Sequence, residues 1–116
     1  MKKVLVVDDD ELCTLLLTKL LSDEGFEARS ASNAEKAVET GTAFGPDFLI
    51  CDWNLKDAIG AQIAATLCKQ HPQMQVIFIT GMEIDALDRR LQDIKLVATL
   101  IKPIDFKQVI SILRQK

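Results

Sequence analysis

Short, unbroken apolar runs alternate along this chain with longer amphipathic stretches. That alternation restricts the fold more than any other feature. Val4-Leu5-Val6-Val7, Phe48-Leu49-Ile50-Cys51, Val76-Ile77-Phe78-Ile79 and the mostly apolar Leu96 to Ile101 read as buried strands. A short strand over about 26–31 completes a set of five. Continuously apolar strands separated by amphipathic helices indicate a parallel sheet covered on both faces. Right-handed crossovers then bring the carboxyl ends of all five strands to one edge.

The expected elements are strands over about 3–8, 26–31, 48–52, 75–80 and 96–101. Helical segments fall between and after them. The first, about 10–24, places Leu12, Leu16, Leu20 and Leu21 on its apolar face and stops at Gly25. The second, about 33–42, opens on Ser32 with Glu35 three positions later, the pattern of a capping box. Gly45-Pro46-Asp47 is a turn. The third, about 60–70, ends at His71-Pro72, because a residue before proline is pushed out of helical geometry. The fourth carries Ile84, Leu87, Leu91 and Ile94 on one stripe, with Asp85, Asp88, Arg89 and Asp93 off it. The fifth, about 104–114, carries Phe106, Val109, Ile110 and Leu113. At 116 residues, with 48% hydrophobic residues, the chain has the length and composition of one globular domain, expected over 1–116.

Other classes fit poorly. The formal net charge is −3, with acidic and basic residues interspersed, so no basic stripe favours nucleic acid. Met1-Lys2-Lys3 imitates the basic end of a signal peptide, but four apolar residues followed by three acids are too short for its apolar segment. No stretch approaches membrane-spanning length. A cytoplasmic location with no membrane contact is expected. Cys13, Cys51 and Cys68 match no metal spacing and lie in apolar-periodic segments, which reads as free core cysteines.

What ends each run is the functional clue. The first runs into Asp8-Asp9-Asp10, the third into Asp52, the fourth into Thr80 and the fifth into Lys102-Pro103. Open α/β sheets bind ligands at these ends. Alone, each residue has a structural reading: a helix N-terminus for the acids, turns or loops for Asp52 and Lys102, an ordinary strand end for Thr80. Together they form a charge problem. Two carboxylates about 5 Å apart repel by roughly 3 kcal/mol at an effective dielectric of about 20. Lys102 balances one, and a divalent cation would balance two more. Oxygen ligands select a hard ion such as Mg²⁺, which also lets an anionic phosphoryl donor approach. Asp52 is then a candidate nucleophile toward phosphorus, with Lys102 and the Thr80 hydroxyl as partners for phosphoryl oxygens.

Val6-Val7-Asp8-Asp9, Cys51-Asp52-Trp53-Asn54 with Gly60, Phe78-Ile79-Thr80-Gly81, and Lys102-Pro103 carry a resemblance. Over essentially its whole length the chain resembles the receiver domain of two-component response regulators. The resemblance implies a flavodoxin-like (βα)5 fold, a doubly wound five-stranded parallel sheet in order 2-1-3-4-5. It implies that Asp52 accepts a phosphoryl group from a phosphohistidine on a sensor histidine kinase or histidine phosphotransfer protein. Asp9, Asp52 and the Asn54 backbone carbonyl would ligate Mg²⁺, with Asp8 acting through a water. Thr80 and Lys102 would bind the phosphoryl oxygens, and a cis bond would precede Pro103. Asp10 falls outside this set and reads as the start of the first helix. The protein would assist its own phosphorylation and dephosphorylation without turning over an outside substrate. A phosphorylation-linked homodimer through the fourth and fifth helical segments is a further implication.

The chain departs from the family's pattern in four places. Thr99 stands where an aromatic or histidine is usual, Lys56 where proline is usual, and Ile59 where an acid precedes the glycine. Asp93-Ile94-Lys95 replaces a small turn. Thr99 keeps a second reading open, a pseudo-receiver acting as a constitutive protein–protein module. A phosphatase of the haloacid-dehalogenase type would need Asp-x-Asp followed by a threonine. Asp8 and Asp10 supply only the first part of that pattern. Leu15, and Met82 with Ile84, each have both a packing and a docking reading. Trp53 reads as a partly exposed loop residue whose fluorescence should report on the neighbouring site, and His71 as a loop residue.

Overall fold

The computed structural model describes residues 1–81 and 89–115. Five parallel strands, β1 (Lys3–Val7), β2 (Glu27–Ala31), β3 (Phe48–Asp52), β4 (Gln75–Thr80) and β5 (Leu96–Ile101), form one sheet in the order β2-β1-β3-β4-β5. The helices are α1 (Glu11–Asp23), α2 (Ala34–Phe44), α3 (Gly60–Gln70) and α4 (Phe106–Gln115), with a 3-10 turn at Arg89–Leu91. This is the expected doubly wound sheet. Four α-helices lie among the described residues. Most of the fourth helical segment, including Met82, Ile84, Asp85, Leu87 and Asp88, lies outside them, as does that part of the expected dimer face. Leu91 and Ile94, at that segment's end, are buried as the stripe predicts.

Strand alternation splits the core into two layers. Leu5, Val7, Leu49, Cys51, Val76 and Phe78 pack with α2 and α3 residues such as Ala37, Ile63 and Leu67. Val4, Val6, Phe48, Ile50, Ile77 and Ile79 pack with Leu17 and Leu21 of α1 and Val109 and Leu113 of α4. Strands buried on both sides have no polar alternation, which is why their sequences are unbroken apolar runs. Cys51 and Cys68 are buried free thiols in this core, while Cys13 is half-buried.

Two local readings are corrected. The core face of α1 is Thr14, Leu17 and Leu21, whereas Leu12, Leu15 and Leu16 are 75%, 64% and 49% exposed. Thr14 can face the core because its hydroxyl donates to the Glu11 carbonyl at 2.8 Å within the helix. The cap of α2 is Asn33, not Ser32: its side chain accepts the Lys36 N–H at 2.8 Å. At its far end α2 stops at Gly45, whose φ of 63° suits glycine. No helix among the described residues is long and apolar enough to cross a membrane.

Candidate functional site

Strand register builds the site. Val7 pairs with Cys51, so Asp8 emerges level with Asp52 on the adjacent strand. Asp52 pairs with Ile79, and Thr80 with Ile101, so Lys102 leaves β5 one residue past Thr80. The Lys102 N–H donates to the Thr80 carbonyl at 2.8 Å, and the Lys102–Pro103 bond is cis, as the resemblance implies. The sheet order reverses between β1 and β3, so the acids sit at the topological switch point, where open sheets bind ligands.

Asp8, Asp9 and Asp52 each offer a carboxylate oxygen within 4.8 Å of the others. Asp8 and Asp52 are buried and Asp9 is half-buried. Lys102 Nζ donates to Asp52 Oδ2 at 2.7 Å and lies 3.9 Å from Asp8 Oδ2. The second Asp52 oxygen accepts the Asn54 N–H at 3.1 Å, and Asp8 Oδ1 accepts the Asp10 N–H at 3.0 Å. Thr80, 1% exposed, closes β4 beside this group. Asp10 stands apart: its carboxylate caps α1, accepting from Leu12 N at 3.1 Å and Cys13 N at 3.2 Å. Its helix-starting reading holds, and it is not one of the three clustered carboxylates.

The charges pull on one another. Burial raises the Asp8 pKa, and the Asp52 charge adds to this; the Asp10 N–H and Lys102 oppose it incompletely. For Lys102, burial acts downward, but the hydrogen bond to Asp52 and the charges of Asp8 and Asp52 outweigh it. Its pKa is raised and it stays cationic. Three carboxylates against one ammonium leave a surplus of negative charge, and the donors are all oxygen. That donor set fits a hard divalent cation such as Mg²⁺.

Several further residues shape the site without supplying its charges. Gly60 packs so closely that a Cβ there would overlap the Asp52 carbonyl oxygen and sit 3.2 Å from Cys51 Sγ. The Trp53 carbonyl accepts the Gly60 N–H at 2.7 Å, and the Trp53 N–H donates to Ile79 O at 2.8 Å. The Trp53 side chain is buried, edge-on to Phe78 with centroids 5.0 Å apart, which corrects its partly exposed reading. The Cys13 side chain lines the same cavity as Asp8 and Lys102. Burial and the Asp8 charge raise its pKa, which disfavours the thiolate. Asp9 Oδ2 accepts the Lys56 backbone N–H at 3.1 Å. His71 lies at the opposite end of the sheet, its ring 3.1 Å from the Gly41 carbonyl, and takes no part in the site.

The family model of the response regulator receiver domain matches residues 4–114. The chain belongs to that family. The receiver is 27% identical over 117 residues to the photosynthetic apparatus regulatory protein RegA of Cereibacter sphaeroides, covering 99% of this chain and 62% of that regulator's length. It superposes with a TM-score of 0.84 on the Thermotoga maritima response regulator TrrA solved in complex with Mg²⁺ and BeF. Identity there is 24%, covering 99% of this chain and 98% of that one. A response regulator of Burkholderia pseudomallei, solved with a phosphorylated aspartic acid, a calcium ion and citrate, gives a TM-score of 0.86 at 26% identity. That match covers 97% of this chain and 66% of the other. The fold, the family and the two-component setting thus agree with the resemblance read from the motifs.

Proposed function

We propose that this receiver accepts a phosphoryl group on Asp52 from a phosphohistidine, in a Mg²⁺-dependent reaction, and that the modified Asp52 switches partner binding. The observation that carries this is the 2.7 Å pair between Lys102 and Asp52 inside a cluster of three carboxylates. Attack by an Asp52 oxygen on phosphorus forms an O–P bond as the P–N bond breaks, and the imidazole leaves with that electron pair. Lys102 already lies at the acceptor oxygen, where it can follow the incoming phosphoryl oxygens as a point charge. Thr80 supplies a hydroxyl at the same edge. Asp9, Asp52 and the Asn54 carbonyl would hold Mg²⁺, with Asp8 behind a water. When bound, the ion neutralises the charge that would otherwise repel an anionic donor. The Mg²⁺–BeF complex of the Thermotoga regulator and the phosphorylated aspartic acid of the Burkholderia one support this reading.

The donor is a sensor histidine kinase or a histidine phosphotransfer protein. The receiver promotes its own phosphorylation and hydrolysis and turns over no outside substrate. A phosphatase of the Asp-x-Asp type is disfavoured because Asp10 is engaged as a helix cap. Incubation with Mg²⁺ and acetyl phosphate, followed by intact mass measurement, tests the proposal. The wild type should gain one phosphoryl group, and Asp52→Asn should gain none. An unmodified wild type, or an undiminished gain in the variant, sinks it.

A further inference from the structure

Asp9 is the most accessible of the three clustered carboxylates, yet one of its oxygens is held from a distance of 47 residues. The donor is the backbone N–H of Lys56, in the loop between β3 and α3. That loop is anchored on both sides of the donor. Before it, the Leu55 N–H donates to Ala58 O at 2.9 Å, the Leu55 side chain is buried, and Asn54 bridges to Ile59. After it, the Asp57 carboxylate accepts the Ala34 N–H at 3.1 and 3.3 Å, at the first turn of α2. A carboxylate near the positive end of a helix is favourably placed, so Asp57 ties the loop to α2.

We propose that the Lys56 backbone amide is a positioning group for Asp9, and that Asp57 holds the loop that presents it. The inference rests on the Mg²⁺ reading above. A carboxylate whose Oδ2 accepts a fixed N–H is no longer free to rotate, so its other oxygen is presented to the cation before the cation arrives. Groups that orient a ligand in this way typically change metal affinity by about 10–100-fold. Proline, the residue the family usually has here, carries no N–H and cannot make this bond. The departure at Lys56 therefore adds a donor on Asp9.

The test compares two neutral residues at position 56. Lys56→Ala and Lys56→Pro both remove the lysine charge, and only the second removes the N–H. Mg²⁺ titrations followed by Trp53 fluorescence and by calorimetry should show the Pro variant binding roughly tenfold more weakly than the Ala variant. Asp57→Ala should weaken binding in the same direction by a smaller factor, and Asp57→Asn, which keeps an acceptor, should restore part of it. At saturating Mg²⁺ the rate of phosphorylation by acetyl phosphate should become equal in all variants. Equal Mg²⁺ affinities for Lys56→Ala and Lys56→Pro, or a rate deficit that saturating Mg²⁺ does not remove, overturn the positioning role. Should Lys56→Pro fail to fold, Asp57→Ala decides, and wild-type affinity there overturns it. A wild type that binds no Mg²⁺ overturns the Mg²⁺ reading itself, and the inference with it.

Discussion

The ends of β3 and β5 both deliver a charged side chain to the same site, but they hold it very differently. All five β3 residues are buried, and the strand lies between β1 and β4. Asp52 has one oxygen on the Asn54 N–H and the other on Lys102, and Gly60 is packed against its carbonyl. β5 is an edge strand in which Leu100 alone is buried, and its Lys102 side chain is 41% exposed. Asp52 is therefore over-determined by backbone and packing, whereas the Lys102 ammonium reaches in on a flexible stem from a fixed main-chain anchor. Such a division suits a reaction in which the nucleophile must stay and the counter-charge must follow an incoming group. It also ranks substitutions: those at the β3 end should cost far more than those along β5.

The largest effect on folding is expected at Gly60. A side chain there must displace the Asp52 backbone, which cannot move without disturbing β3. Gly60→Val should destabilise the protein by about 3 kcal/mol, the upper end for overpacking a dense site. It should also slow Asp52 phosphorylation. Urea unfolding midpoints and acetyl phosphate labelling rates measure both. A midpoint within error of wild type would mean that the β3 end is looser than described.

How much of this was legible follows the same contrast. The bounds of β3, β4, β5 and α3 match the sequence reading residue for residue, because continuous apolar runs end in Asp52, Thr80 and Lys102 and proline or glycine breaks the chain nearby. Asp10 was readable as a cap because capping is local. The core face of α1 was not. Six leucines between Leu12 and Leu21 cover more than one side of a helix, so periodicity cannot choose among them. Trp53 looked like loop surface because its partner, Phe78, is 25 residues away on another strand. The Lys56 amide was invisible for a simpler reason: a backbone donor has no residue type. Carboxylates and cations announce a site in sequence, but the groups that orient them come from the folded main chain.

A middle-sized effect with the opposite sign is expected at Asp8. Its folded pKa is raised above the ordinary 3.8, chiefly by burial, so the native state binds this proton more readily than the unfolded chain does. The penalty is absent below the ordinary value. It grows as pH rises through the unfolded and then the folded pKa, and is full at neutral pH. Asp8→Asn keeps an oxygen for the Asp10 N–H while removing the charge, and should stabilise the metal-free protein by about 1 kcal/mol near neutrality. Wild-type and variant unfolding curves should converge in acid. Saturating Mg²⁺ should reverse the order, because binding to the native state stabilises whichever protein binds more tightly. An Asp8→Asn protein less stable than wild type at neutral pH without metal would show that Lys102 fully compensates the buried charge.

The smallest effect is expected at Thr99, and it sharpens the comparison most directly. Thr99 is exposed on the edge strand and pairs in register with Phe78 of β4, which is fully buried. Its neighbour Leu100 carries the packing at this end of β5, within the layer that includes Val109 and Leu113 of α4. Removing an exposed hydroxyl and methyl leaves no cavity and orphans no buried group. Thr99→Ala should change stability by less than about 0.5 kcal/mol and leave Mg²⁺ affinity and the rate of Asp52 labelling within experimental error. If labelling nonetheless slowed several-fold at unchanged stability, Thr99 would be coupled to the site through Lys102, three residues on. The edge strand would then take part in the chemistry and not only deliver its cation.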